Sequence, residues 1–472
     1  MTSPHRTAAE LREHAWQIWR AGVAGVDPRR LIQDAVQVHG DLLVVNDGAE
    51  EIELGEVNRI VVVGGGKAGA AMASALKSVL VDSDAARRRL SGLVCVPEDC
   101  LPTLRIFSPD IQQSRGEIEL VAGRPAGVNE PTPAGEAAAR RMLELVGSLT
   151  RDDLCLCLLS GGASALLPAP CRGFSLEDKL QLTRRLSAAG ASIDQLNSVR
   201  RELSDFKGGG LADACRAGRM ISLVVSDVPG DDLATIGCGP TADRQSLPLV
   251  AINVLREFGV DREPYGERAV GVLLDKHRQR NDARAKRTTR SRNYVIGNNA
   301  AAVDAAGIEA ERLGYSHAMI SATAPEGPAE EVGRRLASLA RQMRDEPGPD
   351  CLIAGGEPTV RLPPPEVRGR GGRNQQLCLA ALSEQSDWRG MALVSGGTDG
   401  EDGPTDAAGA FLDEPIAIAA RRMRLDAVDA LARCDAYEFF SRCDGLLKTG
   451  PTHTNVGDLR VVVVERRASE SH

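Results

Sequence analysis

The chain reads as an α/β protein of two three-layer domains with mostly parallel sheets, the first Rossmann-like, with an active site in the cleft between them. Three observations predict this. Short apolar runs alternate with helix-compatible stretches along most of the 472 residues, the pattern of βαβ units. Some runs, above all Leu154-Cys-Leu-Cys-Leu-Leu159, are apolar at every position, as a strand covered on both faces must be. Glycine-rich loops follow the runs, where open α/β sheets bind ligands. The length exceeds the ~250–300 residues at which one core stops growing. Residues 1–273 are assigned to the first domain, 293–472 to the second, and the basic stretch 274–292, with little apolar periodicity, to an exposed connection.

Taken in order, Leu11, Trp16, Ile18 and Trp19, then Leu31, Ile32 and Val36, suit two amphipathic helices divided at Asp27-Pro28. The first strand is Arg59-Ile-Val-Val-Val63. It runs into Gly64-Gly-Gly-Lys-Ala-Gly69, a turn opening a helix, where free N–H groups and the helix dipole favour an anion. Lys67 at that end is disfavoured by the dipole unless an anion offsets it; a stem reaching solvent is the alternative. The loop is read as neither a Walker A loop nor a full dinucleotide fingerprint. Further runs at Gly92–Val96 and Leu104–Phe107 precede a helix over Pro133–Val146. The strand ending at Leu159 delivers Ser160-Gly-Gly-Ala-Ser164, in which Ser160, Gly161, Gly162 and Ser164 can cradle an anion.

Ile193–Gly209 carries Asn197, Arg200 and Lys207, a polar basic set before a glycine stop, and Ile221–Asp231 places Asp227 just beyond a strand end. In the second half, runs at Asn293–Gly297, His317–Ser321 and Cys351–Ala354 alternate with helices near 299–313 and 329–344. Glu357 follows the third run, and Gly369-Arg-Gly-Gly-Arg-Asn374 brings Arg373, a planar fork of donors, beside Asn374. Behind Met391-Ala-Leu-Val394 stands the loop Ser395–Gly409, with Gly397, Thr398, Asp399, Glu401, Asp402, Gly403, Thr405 and Asp406. Its glycines admit an anion and its carboxylates suit Mg2+, with Asp399, Asp402 and Asp406 the expected ligands; aspartates capping their own turn are the alternative. Thr449–Asp458, containing Thr452 and Asn455, precedes the last strand, Arg460–Val464.

Composition narrows the partners. A net charge of −8 provides no basic field, which excludes nucleic acid as the expected ligand. Aromatics at 3% and 49 glycines leave close packing to small residues. The eleven cysteines are scattered without zinc spacing, and no run approaches the ~20 apolar residues of a membrane span. A reduced, cytoplasmic protein is expected, and a homodimer is compatible with it.

Together, these glycine-rich segments, Ile193–Gly209, Ile221–Asp231 and Thr449–Asp458 resemble the glycerate 2-kinases, the two-domain kinases with a MOFRL-type C-terminal domain. The resemblance spans about Gly64 to Asp458. It implies ATP- and Mg2+-dependent phosphorylation of D-glycerate at the 2-hydroxyl, with Lys67, Asp227 and Arg373 in catalytic roles. Two positions depart from the family: Arg124-Pro125 where His-Pro is usual, and His453 where a glycine is usual. An NAD(P)-dependent hydroxypyruvate reductase and a non-catalytic small-anion-binding protein are the other classes open at this level.

Overall fold

The computed structural model describes residues 6–101, 118–125, 128, 130–243, 247–280, 289–321 and 323–466. The chain divides into two compact units, residues 28–296 and residues 1–27 together with 297–472.

The 28–296 unit opens with a small antiparallel sheet, β1 (Val36–His39), β2 (Leu42–Val45) and β3 (Glu50–Glu53). Its main sheet contains β4 (Ile60–Gly65), β5 (Leu90–Pro97), β6 (Ile118–Arg124), β7 (Leu154–Ser160), β8 (Arg219–Val225) and β9 (Arg290–Gly297). They lie in the order β6-β5-β4-β7-β8-β9, which is the doubly wound dinucleotide-fold order, and the pairs from β6 to β8 are parallel. Alternating side chains serve the two faces. Val61, Val63, Leu93 and Cys95 share a core with Ala138, Ala139 and Met142 of helix Pro133–Gly147, whereas Val94 and Val96 meet the start of helix Gly69–Leu80. A separate lobe of helices, Leu176–Ala188, Ile193–Glu202, Pro248–Glu257 and Pro264–Arg280, has its own core around Leu182, Leu186, Val199, Ile252 and Leu273.

The other unit is a six-stranded sheet of β10 (His317–Ile320), β11 (Cys351–Gly356), β12 (Met391–Gly397), β13 (Gly409–Asp413), β14 (Leu446–Leu447) and β15 (Asp458–Val464), ordered β10-β11-β15-β12-β13-β14. Parallel pairing, expected for both domains, describes the first sheet; here only β10 and β11 pair parallel. The last strand slots between β11 and β12 antiparallel to both. An all-apolar run such as Val461–Val464 states that a strand is buried, not which way it points. Helices Ala329–Asp345 and Arg373–Glu384 cover one face; Ala8–Gly25 and Asn299–Arg312 cover the other.

Ala8–Gly25, assigned from the sequence to the first domain, belongs to this second unit. Leu11, Ala15, Ile18 and Trp19 pack on Val303, Ile353, Val394 and Leu459, and the Trp19 indole donates to the Leu459 carbonyl at 3.0 Å. Gly22 permits the approach, since a Cβ there would lie 2.4 Å from Leu459 Cδ2. The expected connection is likewise partly structured: residues 274–280 end a helix and 290–292 begin β9. Residues 281–288 and the expected strand Leu104–Phe107 lie outside the described residues.

Candidate functional site

In the 28–296 unit the chain winds outward through β5 and β6, then returns to the far side of β4 as β7. The loops after β4 and β7 therefore meet at the switch point, where doubly wound sheets hold their ligands. Gly64, Gly66 and Gly69 stand at Gly-x-Gly-x-x-Gly spacing, so the reading of this loop as short of a dinucleotide fingerprint does not hold. Gly64 and Gly66 have φ of +145° and +138°. A Cβ on Gly66 would fall 2.1 Å from Ser160 Oγ, and one on Gly69 would fall 3.1 Å from Val94 Cγ1.

The backbone donors of this loop serve the protein itself. Lys67 N donates to Gly161 O at 2.8 Å, Ala68 N to Ser160 Oγ at 3.0 Å, and Gly66 N to Cys95 O at 3.2 Å. Ser160, fully buried, thus holds β7 to the helix entry. Charge at the switch point comes from side chains. The Lys67 stem runs beside Gly162, whose added Cβ would sit 3.4 Å from Lys67 Cγ and 3.8 Å from an Arg124 guanidinium nitrogen.

Beyond Gly162 opens a cavity of about 210 Å³ lined by Glu130, Gly162, Ser164, Lys179, Thr183, Arg184 and Arg200 among others. The floor is tied down by Lys207, 1% exposed, whose ammonium donates to Ser164 O (2.8 Å), Ser164 Oγ (3.1 Å) and Gly237 O (3.4 Å). The Cys238 thiol lies 3.1 Å from Ser164 Oγ and donates to Asn197 Oδ1 at 3.3 Å. Burial would raise that thiol, but Lys207, the Ser164 hydroxyl, Arg200 and Lys179 together hold it below its ordinary value. Lys179 is 6% exposed, and burial, then Lys207 and Arg200, push its ammonium down to about 7. Sequence reading missed Lys179. The signal was present: it occupies the same helical stripe as Leu182 and Leu186, where a lysine is out of place. Asp227, half-buried, follows β8 at the same edge of the sheet.

In the other unit the predicted residues gather at the Gly356 and Gly397 ends of β11 and β12 and the start of β15. Arg373 donates through Nε and Nη2 to both oxygens of Asp458 (2.7 and 3.0 Å) and through Nη1 to Glu357 (2.9 Å). Burial opposes its charge, yet Asp458 and Glu357 hold the guanidinium firmly protonated. Asp458, fully buried, is a partner the sequence did not single out. Asn374, also fully buried, accepts from Ser395 Oγ at 2.6 Å. Thr398 donates to Gly457 O at 2.6 Å and accepts from Val456 N at 2.9 Å; Thr452 donates to Thr398 O. Asn455 Oδ1 accepts from Gly457 N at 3.3 Å, and Gly397 N donates to Ala408 O at 2.8 Å. Thr405 donates to Asp402 O at 2.8 Å, and Gly403, at φ +63°, passes so close to Gly371 that a Cβ would meet its carbonyl at 2.4 Å. His453 has φ +63°, the left-handed backbone that its family glycine would adopt freely.

The three expected magnesium ligands have separate employments. Asp402, 2% exposed, accepts from Asn374 N at 3.0 Å and Gln375 N at 2.9 Å, capping helix Arg373–Glu384. Asp399 Oδ1 accepts from Glu401 N at 3.0 Å, a turn contact. Asp406 binds Tyr437 OH at 2.6 Å and Lys448 Nζ at 2.8 Å, contacts that lower its pKa, Lys448 most. Among the described residues no group of three His, Cys, Asp or Glu side chains is placed to hold a metal ion. No helix among them is long and apolar enough to cross a membrane.

Known proteins share this layout. A family described as a domain of unknown function (DUF4147) matches residues 14–271, and the MOFRL family matches 350–458. A glycerate kinase of Danio rerio is 35% identical, covering 97% of this chain and 98% of its own. A D-glycerate 2-kinase of Thermotoga maritima is 36% identical over 74% of this chain and 82% of its own. A putative hydroxypyruvate reductase of Agrobacterium vitis is 35% identical over 86% of this chain and all of its own. The crystal structure of a Thermotoga maritima glycerate kinase superimposes with TM-score 0.76 at 30% identity, covering 97% of this chain and 100% of that one. With its DUF4147 and MOFRL regions in order and relatives matched nearly end to end, the chain belongs to the glycerate kinase family.

Proposed function

We propose that the protein transfers a phosphoryl group from ATP to the 2-hydroxyl of D-glycerate, giving 2-phosphoglycerate and ADP. The observation that supports it most is the set of side-chain cations at the switch point, Lys67 beside Gly162 with Lys179, Arg200 and Arg124 around it. Phosphoryl transfer is catalysed mainly by positioning and by fixed charge against the phosphoryl oxygens. In this reading Lys67 supplies that charge and Asp227 orients the attacking hydroxyl or takes its proton. Arg373 is a rigid positive charge held by Asp458 and Glu357 beside the loop Gly397–Asp406. Magnesium arrives with the nucleotide, and Asp399, Asp402 and Asp406 are left to their structural contacts.

The reductase reading has two observations on its side. One is the Agrobacterium relative; the other is Glu98, which directly follows β5 as the ribose-binding acid of dinucleotide folds does. Against it, the N–H groups of Gly66, Lys67 and Ala68 that would receive a pyrophosphate are bonded to Cys95, Gly161 and Ser160. The deciding experiment incubates purified protein with ATP, Mg2+ and D-glycerate under coupled ADP detection, identifies the product by phosphorus NMR, and runs hydroxypyruvate with NADH or NADPH in parallel. Oxidation of the reduced cofactor without ADP formation overturns the kinase reading; 3-phosphoglycerate as product overturns its regiochemistry.

A further inference from the structure

The cavity beyond Gly162 holds more positive charge and more unanswered polar atoms than the fold needs. Its acidic lining residue, Glu130, is engaged by Arg184 at 2.8 and 2.5 Å on the rim. Glu136 favours the Lys179 ammonium less than Cys238 does, and both are outweighed by burial, Lys207 and Arg200. Of its lining residues, Arg200 and Thr183 each carry a buried polar atom, Nε and Oγ1, without a hydrogen-bond partner among the described residues, as does Arg124 behind Gly162 at Nε. Buried polar groups are ordinarily satisfied, and each exception asks for an explanation. Burying an ammonium among other cations is unfavourable unless an anion joins them.

We propose that this cavity binds the carboxylate of the acceptor, with Lys179 and Arg200 as its cationic donors and the Thr183 hydroxyl as a third. The proposal rests on the kinase reading for the identity of the acceptor. Size argues for the acceptor over the nucleotide: about 210 Å³ is below the ~300–1,000 Å³ of sites that enclose drug-sized ligands, and it suits one end of a small hydroxy acid. Location agrees, because Gly162 forms the wall shared with Lys67, so an acid seated here extends its hydroxyl carbon toward the switch point.

The test is calorimetric binding of D-glycerate, of its neutral amide glyceramide, and of ADP, to the parent, to Lys179→Met and to Thr183→Val. Lys179→Met should weaken D-glycerate tenfold or more and Thr183→Val severalfold, with glyceramide and ADP affinities unchanged. The thermal midpoint of Lys179→Met should be equal to or above that of the parent, since an uncompensated buried charge is removed. A parent that does not bind D-glycerate, unchanged D-glycerate affinity in Lys179→Met, or equal losses for acid and amide, each overturns the proposal. A loss confined to ADP places nucleotide phosphate there instead and also overturns it. Failure of the kinase reading looks different: the parent then binds D-glycerate through Lys179 yet forms no ADP from it.

Discussion

Replacing Asp402 by alanine separates two roles that its sequence context leaves equally open. The carboxylate accepts from Asn374 N at 3.0 Å and Gln375 N at 2.9 Å, with Asn374 Nδ2 at 3.3 Å. Its removal leaves the first donors of helix Arg373–Glu384 buried and unanswered. Loss of an N-terminal cap costs ~0.5–2 kcal/mol, and an orphaned buried donor ~1–3 kcal/mol. Partial relaxation, and the relief of removing a buried carboxyl, bring the expected net loss to ~2 kcal/mol, a fall of ~4–8 °C in a domain of this size. The carboxyl also fixes the pH dependence. Burial pushes it up to about 7, above an unfolded value of ~3.9. Between those values the folded state binds the extra proton, so the parent loses stability as pH rises, and alanine removes that slope. The gap between parent and variant should therefore be widest at about pH 4 and below, and shrink steadily as pH rises to about 7. Thermal unfolding without nucleotide, in chelator and in Mg2+, reads all of this. A variant that melts like the parent in chelator and falls behind only when Mg2+ is added would falsify the cap and restore the metal ligand.

Lys67→Ala should lower turnover by ~10²-fold, the scale of one preorganised electrostatic donor, with little change in unfolding midpoint; steady-state kinetics at parent-like turnover would assign Lys67 to the solvated helix end. Gly66→Ala, which places a Cβ 2.1 Å from Ser160 Oγ at φ +138°, should cost more than ~3 kcal/mol or prevent soluble folding, read from expression and urea midpoint. Lys179, facing Lys207, Arg200, Cys238 and Glu136, sits at about 7 folded against ~10.4 unfolded. The unfolded state binds the extra proton in between, so parent stability should climb across that window and acceptor affinity should fall; urea midpoints of Lys179→Met without the climb's loss would refute the assignment.

Much of the first unit was legible because a strand buried on both faces must be apolar throughout, and β4 and β7 announce themselves that way. The ordering of β15 between β11 and β12 was not, since four successive valines carry no direction. Nor does an amphipathic stripe name its partner, which is why the sequence assigns helix Ala8–Gly25 to the first domain whereas it packs within the other unit. The acidic loop shows a different limit. Carboxylates and glycines in one stretch read as a cation site; Asp399 caps its own turn at Glu401, as the alternative has it, whereas Asp402 and Asp406 answer donors brought from elsewhere, a helix start at Asn374 and the Lys448 ammonium. Such partners are invisible until the chain is folded.

Two buried lysines of the 28–296 unit carry the remaining argument. Both are depressed by burial and both lie within the same field of cations. Lys207 has three oxygens for its three protons, and its sequence, before a glycine stop, resembles a family motif; its chemistry is complete within the fold. Lys179 lines an open cavity beside Arg200 and Thr183, whose Nε and Oγ1 have no hydrogen-bond partner among the described residues. A protein gains nothing in stability from that arrangement, whereas a site that must attract a small acid and later release its phosphorylated product needs donors that folding has not already used. The contrast places the acceptor at Lys179 and the scaffold at Lys207, and Lys207→Met should therefore lower the unfolding midpoint where Lys179→Met does not.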